Sequence, residues 1–316
     1  MTRAGGARGV VWLGLCGVLA LAPLALRDYQ LIFMAELACW GLFAIAFDLV
    51  FGYAGMLSFC QALFFGAGAY GVAYAIYFWK AHVWAAIALG IAVALALAFV
   101  VGFVAIRVSG HHFLICTIIF SVLVYLVLES GQWRWITGGY SGRPFPTPEI
   151  PLGLARLSLQ SEAVAYYFVL AWALLTFAGC VRLVRSPLGR AVACIRDNEV
   201  RARAIGFHVE RARLVIFALA GAVAGLSGAL YSLLFRYTNL SFFEWTVSGK
   251  AVVWTILGGP GTLVGPIIGS ALYLLTSELL SGTFRSFPIL FGAVLILVVI
   301  LAPRGLMGWL RSGGFR

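Results

Sequence analysis

The charged stretch SPLGRAVACIRDNEVRARAIG (Ser186–Gly206) separates two continuous apolar runs, Tyr166–Val184 and Leu214–Phe235. Each run contains about 20 residues, which is the length that a helix needs to cross the hydrocarbon core of a bilayer. The charged stretch is therefore a short loop that two membrane-spanning segments hold at a membrane face. This arrangement decides the fold class, and the rest of the chain agrees with it.

The composition is that of an integral membrane protein. Of the 316 residues, 63% are hydrophobic and only 10% are charged, and the mean hydropathy is +1.01. So few charged residues cannot cover a soluble core with a hydrated surface. The apolar runs are continuous rather than alternating, which argues against a β-barrel. We predict an all-α polytopic membrane protein that forms a single transmembrane domain over residues 1–316.

Eight to ten transmembrane helices are predicted from the apolar runs. The first of them could instead be a cleaved signal peptide, because arginines precede it and Ala20-Leu21-Ala22 resembles a cleavage site, but Pro23 directly after that site favours a retained helix. The predicted spans are Val10–Leu26, Leu31–Phe51, Leu57–Phe78, Val83–Ile106, Phe113–Leu128, Tyr166–Val184, Leu214–Phe235, Ala251–Leu257, Leu263–Leu280 and Phe287–Leu301.

The positions of the arginines set the expected orientation. If the charged loop is cytoplasmic and the spans alternate, the cytoplasmic segments hold 14 of the 22 basic residues, and Glu244 and Lys250 fall in an external segment. The positive-inside rule then places both termini in the cytoplasm, which requires an even number of spans, and ten satisfies it. The net charge of +11 thus follows mostly from topology, and no soluble basic surface for nucleic acid is predicted.

The largest external segment is Glu129–Glu162, which we name the cap. Pro144, Pro146, Pro148 and Pro151 lie too close together in it for a helix or a central strand. Its 34 residues are too few to bury a core of their own. We predict an ordered, extended cap rather than a separate domain.

The charged loop carries the capping signals of two successive short helices. Ser186 can cap a helix Pro187–Asp197, and Asn198 can cap a second helix Glu199–Ile205 that Gly206 ends in a left-handed conformation. Charge alone fits a loop that binds anionic membrane lipid equally well, but such a loop needs no capped helices. The capping signals therefore indicate a protruding knob of defined shape.

The sequence of this knob resembles that of a known family. Arg196-Asp197-Asn198-Glu199, followed by Ala202, Ala204 and Gly206, is similar to the coupling loop of ABC-importer permeases, in the version found in branched-chain amino-acid importers. Within 185–213, the resemblance implies a role in contacting an ATPase for Ser186, Pro187, Gly189, Arg190, Arg196, Asp197, Asn198, Glu199, Ala202, Ala204 and Gly206.

Further blocks extend the resemblance over nearly the whole chain. They are GYAGMLSFCQALFFGAGAYG at Gly52–Gly71, TGGYSG at Thr137–Gly142, ILGGPGTLVGPIIGS at Ile256–Ser270 and LAPRGLMGW at Leu301–Trp309, in the order and at the spacing of the family. The resemblance implies a permease of the bacterial inner membrane. Its implied partners are a sister permease, two ATPase subunits, which use ATP and Mg, and a periplasmic binding protein. For the last partner, the docking candidates in the cap are Trp135, Thr137, Gly138, Gly139 and Ser141.

The glycine-rich blocks also have a physical interpretation. Glycines permit broken helices, which build polar sites inside transporters. The alternative is helix packing alone, which is the commoner role of motifs such as Gly221-x-x-x-Gly225 and Gly265-x-x-x-Gly269. The candidates for the translocation pathway are Gly52, Tyr53, Gly55, Ser58, Gln61, Glu36, Gly258, Gly259 and Thr262.

Three carboxylates lie within or near the apolar spans. A carboxylate at membrane depth is costly unless it is paired, so each is a functional candidate. Asp48 lies near the cytoplasmic end of its helix, where it can simply reach water, and Glu278 lies near the outer interface. Glu36 is the best candidate for the pathway or for an internal hydrogen bond.

The chain departs from the family at a few positions. Family members usually carry Gln at Met56, a Gly-His-like pair at Cys60-Gln61 and an acidic or amide residue near Ser141. These departures imply that the substrate can differ from leucine, isoleucine or valine, since related permeases carry urea, short amides or other carboxylated compounds.

Two other function classes remain open alternatives. A proton-coupled secondary transporter could use Glu36 and Glu278 as a relay, although it needs no capped knob. An intramembrane serine protease could use Ser141 in Gly139–Gly142, but it needs a histidine that faces the serine at membrane depth. The sequence contains no phosphate-binding loop and no cysteine spacing for a metal, so we expect no cofactor in this chain and ATP hydrolysis on other subunits.

Overall fold

The computed structural model of the chain describes residues 23, 26–108, 110–146, 148–152, 155–281, 292, 296, 300 and 305–311. The helices are α1 (Asp28–Asp48), α2 (Gln61–Trp79), α3 (Val83–Ala105), α4 (His111–Glu129), α5 (Arg134–Thr137), α6 (Glu162–Arg185), α7 (Pro187–Asp197), α8 (Glu199–Ala204), α9 (Val209–Phe235), α10 (Trp245–Gly258), α11 (Val264–Ser281) and α12 (Gly305–Arg311). The strands are β1 (Arg143–Pro144), β2 (Glu149–Leu152), β3 (Ala155–Ser158) and β4 (Tyr237–Thr238).

Within these residues, α1, α2, α3, α4, α6 and α9 are long and apolar enough to cross a membrane. The all-α polytopic fold is confirmed, and each of these helices coincides with a predicted span to within a few residues. The predicted spans Val10–Leu26 and Phe287–Leu301 lie almost wholly outside the described residues. The segment predicted at Leu57–Phe78 becomes helical only at Gln61.

Small residues set the packing at the centre of the bundle, where α9 lies against α2 and α3. A Cβ atom at Gly68 would lie 1.9 Å from the carbonyl oxygen of Gly225, and one at Gly221 would lie 2.3 Å from the Cβ of Ala98. Such close approach strengthens dispersion contacts between helices that gain little from the hydrophobic effect in lipid. The packing interpretation of the Gly221-x-x-x-Gly225 motif is confirmed.

The bundle has two distinct ends. The chain 186–206 lies at one end, which we name the knob end, together with the end of α1 and the start of α9. The cap lies at the opposite end, which we name the cap end. There the hydroxyl of Tyr29 at the start of α1 donates to the carboxylate of Glu278 near the end of α11.

Helix α10 begins inside the bundle rather than at either end. Ser121, midway along α4, donates its hydroxyl to the carbonyl oxygen of Phe243 at 3.2 Å, so the chain that precedes α10 descends to half the depth of the bundle. With 14 residues, α10 covers about 21 Å and is too short to span a membrane alone. The prediction of an independent span at Ala251–Leu257 is therefore wrong, as is the external placement of Glu244 and Lys250.

The cap contains short strands and helical turns. β2 pairs with β3, and β1 pairs with β4, all antiparallel. The extended character predicted from the prolines is confirmed at β1 and β2, while the turns at Gly131–Trp133 and Gly139–Ser141 and the helix α5 were not predicted. The hydroxyl of Tyr70 on α2 donates to the carbonyl oxygen of Thr137 at 2.9 Å, which fastens the cap to the bundle.

Candidate coupling and translocation site

The knob consists of the two capped helices α7 and α8. The Ser186 hydroxyl oxygen accepts a hydrogen bond from the Gly189 amide at 3.3 Å, and the Asn198 side-chain oxygen accepts one from the Arg201 amide at 2.9 Å. These bonds satisfy amides that the first turn of each helix leaves free. Gly206 has φ of +93°, and α8 ends one residue earlier than predicted. Both predicted caps and the left-handed glycine are confirmed.

The knob packs against the end of α6 and the start of α9 through apolar contacts and a glycine. Val192 and Ile195 on α7 are buried, and Ile195 forms a small cluster with Ala202 of α8 and Val209 of α9. A Cβ atom at Gly189 would lie 2.3 Å from a carbonyl oxygen of α6, so α7 can approach α6 this closely only with glycine there. The knob is thus packed against the bundle instead of hanging from it.

Ion pairs tie α8 to α9. The Glu199 carboxylate lies 3.0 Å from the Arg203 guanidinium and 2.8 Å from that of Arg213, and Arg203 also reaches Glu210. Partial burial alone would raise the pKa of Glu199, but the hydrogen bonds from Arg203 and Arg213 outweigh it and hold that pKa below its ordinary value.

The lowered pKa of Glu199 predicts a pH dependence. A carboxyl whose pKa is lower in the folded state stabilises that state above its ordinary pKa, and this contribution is lost as the pH falls through the folded value. We expect Glu199→Gln to lower the thermal stability of the purified protein at pH 7 and to have progressively less effect below about pH 4.5. Thermal unfolding followed from pH 3 to pH 8 measures this; an equal difference at both limits contradicts it.

The knob also exposes apolar side chains. Val200 is 79% exposed and Ile205 69% exposed, although both lie in the most polar segment of the chain. Other apolar residues of the knob, Val192 and Ile195, are buried, so Val200 and Ile205 are exposed although apolar packing is available nearby. Two large exposed apolar side chains on one charged protrusion are typical of a surface that binds another protein.

Arg196 connects the knob to the end of α1. Its guanidinium donates a hydrogen bond to the carbonyl oxygen of Gly52, in the π-helical turn Leu49–Tyr53 that continues α1. A Cβ atom at Gly55, where φ is +69°, would lie 2.9 Å from the Arg196 side chain. The glycines of the GYAG motif thus leave room for an arginine from the knob.

Asp48 joins the same place to the loop between α10 and α11. Its side chain is fully buried, and its two oxygens accept hydrogen bonds from the backbone amides of Gly261 at 2.7 Å and Leu263 at 3.0 Å. The alternative that Asp48 simply reaches water is therefore wrong. A Cβ atom at Gly52 would lie 1.9 Å from an Asp48 oxygen and 2.3 Å from the Gly261 amide, so only glycine fits there.

We name this contact of Asp48, Gly52, Arg196 and the loop 259–263 the junction. Within the loop, the Thr262 hydroxyl donates to the carbonyl oxygen of Gly259 at 2.8 Å and accepts from the Gly265 amide at 2.9 Å. The junction brings together the predicted residues Gly52, Gly55, Gly259 and Thr262 of the pathway set with Arg196 of the knob. Gly258 and Gly265 pack α10 against α11, since a Cβ atom at Gly258 would lie 1.8 Å from the Gly265 carbonyl oxygen.

The remaining pathway candidates lie elsewhere. Ser58 and Gln61 are fully buried where the chain enters α2, and the Gln61 side chain has no hydrogen-bond partner in the described part of the protein. Glu36 is partly buried on α1 and accepts a hydrogen bond from the Trp40 indole at 3.1 Å, so it makes the internal hydrogen bond that was one of its two expected roles. Tyr53 is partly exposed beside the junction.

The docking candidates in the cap divide into two groups. Trp135 is 57% exposed and Ser141 is also exposed, so both are available to a partner. Thr137 is fully buried and its hydroxyl bonds within the cap, while Gly138 and Gly139 have φ of +73° and +64°. These three residues shape the cap from within.

One known protein family matches most of this chain. The family described as "Branched-chain amino acid transport system / permease component" matches residues 30–303, a stretch that contains the knob, the junction, nearly all of α1, and α2 to α11. The chain belongs to this family. It is a multi-pass permease of the branched-chain amino-acid ABC type, as the sequences of its knob and glycine blocks predicted.

Individual relatives are distant. This permease is 26% identical over 287 residues to the high-affinity branched-chain amino acid transport system permease protein LivM of Salmonella typhimurium, covering 84% of this chain and 67% of the relative. It is 28% identical to the probable LivM of Methanocaldococcus jannaschii over 54% of this chain and 53% of the relative. The LivH permease of Salmonella typhimurium is 29% identical, over 39% of this chain and 40% of the relative. No solved structure matches the chain.

Sequence reasoning missed two parts of this site. It treated Asp48 as a helix-end carboxylate, although the spacing to Gly52 places both on one helical face, one turn apart, and could have indicated the junction. It also overlooked Val200 and Ile205, because apolar residues within a charged loop are visible as exposed only when the packing of α7 and α8 is known.

Proposed function

We propose that this permease is one half of the translocation pore of an ATP-driven importer, and that its knob receives the motion of a separate ATPase subunit. Branched-chain amino acids, or related small solutes with carboxylate or amide groups, would be delivered to the cap end by a periplasmic binding protein. A sister permease would complete the pore. The knob end would face the cytoplasm, with both termini on that side.

The observation that carries this proposal is the knob itself. It is a capped and ion-paired pair of helices that presents Val200 and Ile205 outward and Arg196 inward. A surface of this kind can hold a partner on one side and pass its displacement to the bundle on the other. Neither a proton-coupled transporter nor an intramembrane protease needs such a part.

The junction supports alternating access as the mechanism. A shift of α7 moves Arg196, and through the Gly52 carbonyl it moves the end of α1. Asp48 on that same helix holds the loop before α11, so α1, α10 and α11 respond together. Small shifts at an effector surface become larger rearrangements when packed elements have two discrete arrangements.

Replacing an exposed apolar residue of the knob tests the proposal. We expect Ile205→Asp to reduce co-purification of the ATPase subunits at least about tenfold, the scale of a central interface residue, and to reduce ATP-dependent uptake in parallel. The substitution leaves the fold intact because Ile205 is 69% exposed.

Val108→Asp is the matched control, because Val108 is 40% exposed in a loop outside the knob. We expect it to retain both the ATPase subunits and uptake. Normal association and uptake in Ile205→Asp would overturn the coupling role of the knob. Uptake that survives loss of the ATPase but needs a proton gradient would favour secondary transport.

A further inference from the structure

Lys250 is an exposed residue of α10, the helix that begins inside the bundle. Lys250 is two residues beyond Ser248, whose hydroxyl accepts a hydrogen bond from the Ala62 amide in the first turn of α2, at 2.8 Å. It is eight residues, or about 12 Å of helix, from the end of α10 at Gly258, beside the junction. Lys250 therefore lies between the middle of the bundle and its knob end.

The discontinuous chain around this position agrees with a solute site. α2 begins at Gln61, after the non-helical residues 54–60, and the Phe59 amide of that segment donates to the Thr117 hydroxyl on α4 at 3.1 Å. α10 likewise begins within the bundle, so two helices start at membrane depth. Non-helical backbone at that depth occurs where it is buried in protein or lines a water-filled cavity.

The face of α10 that carries Lys250 is polar. Trp245 is 45% exposed, Thr246 and Lys250 are exposed, and the partly buried Glu244 accepts a hydrogen bond from the Thr246 hydroxyl at 3.1 Å. No ion pair joins Lys250 to another residue in the part of the chain that the structure describes. Charged side chains at membrane depth face a bundle interior or a water-filled path instead of lipid, so this face lines such a path.

We propose that Lys250 binds the carboxylate of the transported solute as it passes between the middle of the permease and the knob end. An ammonium group on a water-accessible face, with no ion pair to any residue that the structure describes, attracts a carboxylate and donates up to three hydrogen bonds to it. The inference rests on the proposed function and adds to it a residue that recognises the carboxylate of the transported solute. Solutes with a carboxylate pass, and their neutral amides lose this contact.

Uptake of L-[14C]leucine by the full transporter in proteoliposomes is the first test. We expect Lys250→Met to reduce kcat/KM of uptake at least tenfold and Lys250→Arg to stay within threefold of wild type. Lys80→Met, which changes an exposed lysine at the cap end, should leave uptake unchanged. Equal uptake by Lys250→Met and wild type overturns the inference and leaves the proposed function standing, whereas wild-type uptake that does not depend on ATP overturns the proposed function.

Chemical modification of Lys250→Cys is the second test and does not depend on turnover. In a Cys194→Ser background, which removes the one exposed cysteine among the described residues, we expect a membrane-impermeant cationic thiosulfonate to modify the introduced thiol. Because this variant lacks the ammonium group, the reaction reports only whether water reaches position 250. Absence of modification shows that this face of α10 does not line a water-filled path and overturns the inference.

Discussion

Asp48→Ala is expected to abolish transport and to destabilise the permease more than any other single polar substitution in the junction. The change leaves the partly buried amide of Gly261 and the buried amide of Leu263 without their acceptor. Each buried donor without a partner costs about 1–3 kcal/mol, so we expect a loss of about 3 kcal/mol or more in the free energy of unfolding. The thermal stability of the purified protein and ATP-dependent uptake both measure the effect.

Two further variants sharpen the test of Asp48. Asp28→Ala removes an exposed carboxylate at the other end of α1 and should cost no more than about 1 kcal/mol, the size of a helix-terminus charge effect. Asp48→Asn keeps one acceptor oxygen but turns an amide group toward a backbone amide, so it should fall between Asp48→Ala and wild type. A stable Asp48→Ala protein with normal uptake would show that the loop 259–263 does not depend on this carboxylate.

Arg196→Ala is expected to separate ATPase binding from transport. Arg196 faces the bundle and donates to the Gly52 carbonyl, while Val200 and Ile205 face outward. Removing the guanidinium should therefore leave co-purification of the ATPase subunits intact and reduce uptake at least about tenfold, a change in coupling free energy of about 1.4 kcal/mol. Uptake per ATP hydrolysed in proteoliposomes is the decisive measurement.

Arg182→Ala provides the control for Arg196, since Arg182 is an exposed arginine in the last turn of α6. It removes the same charge from the same end of the molecule without touching the junction, and both uptake and ATP hydrolysis should remain normal. If Arg196→Ala transports as well as Arg182→Ala, the knob does not act through Gly52. If Arg196→Ala instead fails to co-purify with the ATPase subunits, Arg196 lies at the subunit interface.

The structure explains why the two glycine-rich blocks lie far apart in sequence and still act at one place. Gly52 lies against Asp48 and Gly261, and Gly55 lies against Arg196, so each glycine is present because a neighbouring group occupies the space of its Cβ atom. The loop 259–263 cannot approach α1 otherwise. Some glycines of these blocks therefore pack helices, as the packing interpretation predicted, and others permit the contact between the knob and the bundle.

The sequence by itself determined the membrane class, the long helices and the two capped helices of the knob. These features depend on local composition and on hydrogen bonds between residues a few positions apart, which the order of residues fixes. The same locality explains why the family resemblance was readable from the loop Ser186–Gly206 and the glycine blocks.

Only the tertiary structure decided the roles of Asp48, Arg196 and Lys250. The partners of Asp48 and Arg196 lie 213 and 144 residues away in sequence, and no local pattern specifies which distant backbone groups a side chain will meet. Lys250 was assigned to an external segment because its depth depends on α10 starting halfway down α4, a contact between Ser121 and Phe243 that arises from packing. Composition alone cannot separate a lysine at a membrane surface from one beside a water-filled path, because the difference lies in what surrounds it.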